Sequence, residues 1–353
     1  MEAKNQGGGA GTTKRPTPPP LPLSVRLQVT GLTAAIDAVE RRDGTVNRCL
    51  YSVIDRLLSA RPNPRPDKSG VRSFDVTMDA SRGIWARVFA PAAAEHPLPV
   101  IVYYHGGGFA LFSPAIGPFN GVCRRFCSQI GAVVVSVNYR LAPEHRYPAA
   151  YDDGVDALRF IDANGIPGLG ADVPVDLASC FLAGESAGGN IVHHVANRWA
   201  TEWQPSAKNL RVAGIFPVQP YFGGEERTES ELRLEGVAPV VNLRRSDFSW
   251  KAFLPVGANR DHPAAHVTDE NADLAEEFPP TMVVIGGFDP LMDWQQRYAD
   301  VLRRKGKKVQ VAEFPDAFHG FYGFPELADA NKVLQDMKAF VESNRATPKS
   351  TSS

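Results

Sequence analysis

Four short stretches of this chain combine residue types that could perform nucleophilic chemistry. Gly184-Glu185-Ser186-Ala187-Gly188 sets a serine among glycines, and His105-Gly106-Gly107-Gly108 is a glycine run behind a histidine. Further along stand Asp289, in Gly287-Phe288-Asp289-Pro290, and His319, in Ala317-Phe318-His319-Gly320. A serine hydroxyl attacks a carbonyl when a base takes its proton, and a carboxylate orients that base. The tetrahedral oxygen that forms needs N–H donors already in place. A glycine run lets backbone amides come close enough to a substrate to supply them. The four stretches therefore point to acyl transfer, with Ser186 as nucleophile, His319 as base and Asp289 as its orienting acid. The amides of Gly107, Gly108 and Ala187 are the expected oxyanion donors, and Gly106 is a weaker one. A phosphate loop fits the glycine run poorly, because it has neither the Lys-Ser/Thr ending nor the G-x-G-x-x-G spacing.

Strand ends must deliver each of these groups. Cys180–Ala183 precedes the serine pentapeptide and a helical pattern, Gly189 to Trp203, follows it. That is the strand-turn-helix setting of a nucleophile elbow, with the free N–H groups of the helix start aimed at the serine. The glycine run follows the apolar stretch Val100–Tyr104, Asp289 follows Thr281–Ile285, and His319 follows Val309–Phe314. Of the eight histidines, only His319 lies downstream of Asp289, so the order serine, acid, histidine is met. All four groups fall at carboxyl ends of strands, where sites of open α/β sheets lie. Other polar residues receive structural roles. His105 anchors the glycine loop, and His193 and His194 pack within a helix. Glu144 and His145 brace a neighbouring loop, and Glu185 carries a hydrogen bond inside the elbow. Asp152, Asp153 and Asp293 are expected to cap helices, and Cys123 and Cys127 to pack in the core.

The wider pattern has two alternating runs, Val71–Met78 and Gly83–Phe89, that suit an antiparallel hairpin. Six short apolar strands separated by helical patterns come after it, which predicts an α/β fold with an eight-stranded, mostly parallel sheet flanked by helices. Residues 21–66 hold two helical stretches, Val25–Ile36 and Cys49–Leu58, then a Pro-rich break, and are expected to pack on the body from outside. The main domain is placed at 67–346, with disordered tails at 1–20 and 347–353. Aromatic residues of the 220–260 region, namely Tyr221, Phe222, Phe248, Trp250 and Phe253, are candidates for a pocket wall.

Composition removes several function classes. With 38 basic against 39 acidic residues the net charge is −1, so the basic field of a nucleic-acid binder is missing. Four cysteines are too few for a disulfide scaffold, and no apolar run approaches the ~20 residues that span a bilayer. No leader-like apolar region opens the chain, and an intracellular, cytoplasmic setting is expected, with the nucleus also open.

Tyr104-His-Gly-Gly-Gly-Phe109, Asn138-Tyr-Arg-Leu-Ala-Pro-Glu144, Gly184-Glu-Ser-Ala-Gly-Gly189, Asp289-Pro-Leu and His319-Gly-Phe together resemble the plant carboxylesterases of the hormone-sensitive-lipase group of α/β-hydrolases. The likeness spans roughly residues 25 to 343 and departs at Glu185, where many members have Asp. It implies a Ser186–His319–Asp289 triad, no cofactor, and an N-terminal helical lid over the pocket. Asp43-Gly-Thr-Val-Asn-Arg48 and Ser73-Phe-Asp-Val76 extend the resemblance to the gibberellin receptors, which keep the serine but have lost the catalytic histidine. Because His319 is present, the expectation is a serine carboxylesterase for a small or medium ester with a hydrophobic part. The rival expectation is a receptor-like protein that binds a small molecule and recruits a protein partner through its lid.

Overall fold

The computed structural model describes residues 16–346, so most of the expected tails, 1–15 and 347–353, lies outside the described residues. Two helices come first, α1 (Leu23–Val39) and α2 (Arg48–Leu58). The strands are β1 (Val71–Asp79), β2 (Ile84–Pro91), β3 (Leu98–Tyr104), β4 (Val133–Asn138), β5 (Val175–Glu185), β6 (Val212–Val218), β7 (Thr281–Phe288) and β8 (Val309–Phe318). Between and after them run α3 (Gly117–Arg125), α4 (Ala149–Asn164), α5 (Ala187–Arg198), α6 (Glu229–Leu234), α7 (Leu243–Phe253), α8 (Met292–Arg304) and α9 (Ala328–Asn344).

The eight strands form one sheet in the order β1-β2-β4-β3-β5-β6-β7-β8. Only β2 runs against its neighbours; every other pair is parallel. Helices cover both faces, so the central strands need apolar side chains on both sides. Val100, Val102 and Tyr104 of β3 pack with residues of α4 and α5, while the alternating Ile101 and Tyr103 pack on the other face with residues of α9. The edge strand β1 keeps a mixed buried and exposed pattern, as its alternating sequence requires.

Helix α1 buries Val25, Val29, Ile36 and Val39 along one stripe. Asn47 begins α2 by accepting the Leu50 amide at 3.3 Å. No residue of α2 is buried, and Val53 and Leu57 stand exposed. Cys123 and Cys127 are buried and unpaired, as packing residues.

Three expected helix caps are corrected. Helix α4 already starts at Ala149, so Asp152 and Asp153 lie inside it. Asp153 is fully buried and receives the Arg140 backbone amide at 2.8 Å and Arg140 Nη2 at 2.8 Å, while Asp152 takes Arg198 at 2.8 Å. Asp293 lies in the first turn of α8 and accepts the Ser230 amide at 2.8 Å. In each case a tertiary donor competes successfully with the local amides a cap would serve.

Candidate active site

Strand register places the chemistry. Tyr104 of β3 is paired with Gly184 of β5, so the glycine run and the serine turn leave the sheet side by side. Glu185 is paired with Val218, which makes Ser186 and Gln219 the next residues out. Phe288 is paired with Phe318, so Asp289 and His319 emerge together from β7 and β8.

Ser186 links β5 to α5 with φ 51° and ψ −119°, a strained conformation for a residue with a side chain. Three backbone bonds hold it there: its amide donates to Val218 O at 3.0 Å, and its carbonyl accepts from Tyr221 at 2.9 Å and Asn190 at 3.2 Å. The flanking glycines are obligatory on packing grounds. A Cβ on Gly188 would land on the Tyr104 carbonyl, and one on Gly184 would land on the Gly188 carbonyl. The side chain of Ser186 stays partly open, facing a cavity of about 800 Å³ whose wall also includes His319 and the run Gly106–Gly108.

Gly107 (φ 112°) and Gly108 (φ 58°) adopt left-handed backbone. Among the described residues no hydrogen bond engages the amides of Gly107, Gly108 or Ala187. The Gly106 amide, by contrast, donates to Glu185 Oε1 at 3.3 Å, which sets it apart from the other two glycines. Glu185 therefore ties the elbow across to the glycine loop, where a bond within the elbow was expected. Burial pushes its carboxyl up to about 7, against the pull of the Gly106 amide and of His319.

His105 is buried between Tyr139, with ring centroids 4.4 Å apart, and Phe119, at 5.6 Å. Its Nδ1 lies 2.8 Å from Gly106 O, and Tyr139 donates to its carbonyl at 2.7 Å. Burial lowers its pKa to about 4, so it is a neutral anchor of the loop, as expected. His193 packs in α5 with Nδ1 3.1 Å from the Tyr298 hydroxyl. Glu144 accepts Arg48 Nε at 2.9 Å, and the same guanidinium donates to Ala110 O and Ala142 O. His145 supplies this loop only a backbone amide, to Leu141 O at 3.0 Å.

Asp289 is wholly buried and its carboxylate has four partners. Oδ1 accepts the Leu291 amide at 3.0 Å; Oδ2 accepts Gln219 Nε2 at 3.0 Å and Gln295 Nε2 at 2.8 Å, and lies 2.7 Å from His319 Nδ1. Burial disfavours the charged form of His319, but Asp289, through charge and hydrogen bond, and then Glu185 outweigh it, so its pKa lies above the ordinary histidine value. Gln219 is the residue that motif reading missed. It has φ 42°, is buried, and bonds Asp289, Phe318 O at 3.2 Å and the Gly320 amide at 2.8 Å. Its one signal was a polar residue closing the apolar strand Val212–Val218.

Of the five aromatic wall candidates, Tyr221 lines the cavity. Phe222, Phe248, Trp250 and Phe253 instead pack in the core; Trp250 stacks on Tyr221 at 4.3 Å and Phe253 on Phe109 at 3.7 Å. The region reaches the cavity through Val240, Val241, Arg245, Ser246 and Ser249. Helices α1 and α2 add Leu27, Leu32, Ile36, Ile54, Leu57 and Leu58.

A family model described as alpha/beta hydrolase fold matches residues 101–323. The chain belongs to this family. It is 40% identical over 337 residues to the gibberellin receptor GID1C of Arabidopsis thaliana, covering 91% of this chain and 94% of that one. It is also 36% identical over 290 residues to carboxylesterase 20 of Arabidopsis thaliana, covering 78% and 86%. Among solved structures, a hyperthermophilic esterase from the archaeon Pyrobaculum calidifontis superposes with a TM-score of 0.69 at 26% identity, over 92% of this chain and 98% of that one. The hydrolase fold with its eight-stranded sheet and the likeness to plant carboxylesterases and gibberellin receptors agree with the sequence reading. Among the described residues no helix is long and apolar enough to cross a membrane.

Proposed function

We propose that this α/β-hydrolase is a serine carboxylesterase. The observation that carries the reading is the imidazole of His319, held 2.7 Å from a buried carboxylate and sharing a cavity wall with the strained Ser186. Ser186 attacks the ester carbonyl while His319 takes its proton. Asp289 keeps the imidazole Nδ1 protonated, so Nε2 is free to act as base, and it stabilises the imidazolium that forms. Gly107, Gly108 and Ala187 donate to the oxyanion, since their amides are not otherwise engaged. His319 then protonates the leaving alcohol, and water releases the acid from the acyl-enzyme. The mostly apolar wall suits an ester with a hydrophobic part, and residues 21–66 act as the lid over it. No step calls for a cofactor. Labelling with diethyl p-nitrophenyl phosphate tests the nucleophile: the reading predicts one modified peptide, carrying Ser186, and labelling elsewhere with Ser186 untouched contradicts it.

The similarity to gibberellin receptors over 91% of the chain favours a second reading, a small-molecule binding protein that recruits a partner through α1 and α2. Turnover separates the two. A receptor retains its ligand unchanged, whereas the esterase releases an acid and an alcohol.

A further inference from the structure

One carboxyl in the cavity wall has no part in the acyl-transfer chemistry. Glu40 follows α1 and lines the same cavity as Ser186 and His319. Its backbone is fixed: the amide donates to Ile36 O at 3.1 Å, and the residue forms a bridge with Val46. The side chain is only 3% exposed. Among the described residues neither carboxyl oxygen accepts a hydrogen bond, and Oε2 is fully buried. The nearest cation, Arg244 Nη1, lies 3.4 Å from Oε2 without hydrogen-bond geometry. Arg245 is committed elsewhere, with Nε and Nη2 donating to Asp37 at 2.8 and 2.7 Å and Nη1 to Val240 O at 2.7 Å. The neighbouring wall from Leu32, Ile36, Val240 and Val241 is apolar.

A buried carboxyl whose charged neighbour lacks hydrogen-bond geometry is costly to leave so and favours a ligand that supplies the missing hydrogen bond. We propose that Glu40 is a specificity-determining residue of this cavity, selecting ligands that carry a hydroxyl group remote from the scissile ester. An alkyl group would leave the carboxyl unmet. An ammonium would have to shed its hydration in an apolar wall next to Arg244 and Arg245. A carboxylate would meet a second acid. Burial, opposed by Arg244 and Arg245 and aided by Asp37, pushes the Glu40 carboxyl up to about 7, so both protonation states are populated near neutrality. A hydroxyl donates and accepts, and therefore satisfies either state at the smallest desolvation cost.

This inference deepens the esterase reading and rests on it where turnover is measured, so the experiment has two arms. In the first, kcat/KM is compared for p-nitrophenyl esters of straight C6–C12 acids and their ω-hydroxy and ω-amino counterparts, and for acetates of the matching alcohols and diols. In the second, the same alcohols, diols and amino alcohols displace 1-anilinonaphthalene-8-sulfonate from the Ser186→Ala protein. Wild type, Glu40→Gln and Glu40→Leu are compared, with Glu40→Ala replacing the leucine variant should that one fail to fold. The expected result is a hydroxyl-to-methyl preference that peaks at one chain length in wild type. It persists in Glu40→Gln and falls about tenfold or more in Glu40→Leu. The inference is overturned if the preference is the same in all variants, or if ammonium is preferred to hydroxyl. If wild type turns over no ester, the esterase reading has failed, and the displacement arm still decides the role of Glu40 by the same comparison.

Discussion

Gln219 Nε2 donates to Asp289 Oδ2 at 3.0 Å while the Oε1 of the same side chain accepts the Gly320 amide at 2.8 Å. One neutral side chain therefore fastens the acid to the loop that carries the histidine. Leucine at 219 would remove both of these bonds and the one to Phe318 O, leaving the Gly320 amide unmet and Asp289 Oδ2 with one donor fewer, since Gln295 and His319 still engage it. A loss of this kind costs about 1–3 kcal/mol, or roughly 10- to 100-fold in rate when it falls on the transition state. Gln219→Leu is expected to lower kcat by that factor with little change in KM, measured by steady-state ester hydrolysis. Gln219→Glu is expected to raise the apparent pKa of the rate, because it sets a second carboxylate beside Asp289. A purely structural role would change neither the kcat-to-KM split nor the pH profile.

Glu185 and His319 are coupled through their charges. His319 works as a base only when neutral, so kcat/KM is expected to rise with pH along a limb whose midpoint lies above the ordinary histidine value. Glu185 contributes to that elevation. Glu185→Gln is therefore expected to move the acidic limb to lower pH, read from kcat/KM between pH 5 and 9. An unmoved limb contradicts the coupling.

The same carboxyl predicts a stability effect. Folding raises Glu185 from 4.5 to about 7, so the folded chain holds that proton more tightly than the unfolded one. Its stabilising contribution is complete below pH 4.5 and is lost as pH rises through about 7, amounting to roughly 3 kcal/mol at most. His319, also raised, loses its contribution in the same direction as pH passes its folded value. The melting temperature of Glu185→Gln relative to wild type is expected to improve from pH 5 to about pH 7 and to level off above it. A constant difference across that range contradicts the prediction.

Gly108 tests the oxyanion assignment. It sits at φ 58°, and a Cβ there would run into Ser249 Oγ. Gly108→Ala is expected to lower kcat by about 100-fold or more, the cost of one displaced oxyanion donor. Circular dichroism should show the sheet retained, since the loop follows β3 and does not pair within it.

The sheet and most of the candidate site were legible for a common reason. Buried parallel strands read as apolar runs, and the candidate groups directly follow them, so Ser186, Asp289 and His319 stand out against what precedes them. Gln219 occupies an equivalent place beyond β6, but glutamine belongs to no motif, and its role exists only once β7 and β8 bring Asp289 and His319 beside it. Glu40 was invisible because its charged neighbour, Arg244 of α7, lies some 200 residues away in the chain. The aromatic residues of 220–260 misled for the opposite reason. Large flat side chains gain most from complete burial, so Trp250 and Phe253 went to the core and left smaller residues to face the cavity. The cap expectations at Asp152, Asp153 and Asp293 failed because distant arginines and amides outcompete a local turn.

The most direct measurement is hydrolysis of p-nitrophenyl butyrate by wild type, Ser186→Ala and His319→Ala at equal concentration and pH. The account predicts that wild type turns the ester over and that each single variant falls by several orders of magnitude, leaving only the residual rate of the oxyanion site. Rates in either variant equal to wild type, or no turnover by wild type, would contradict it.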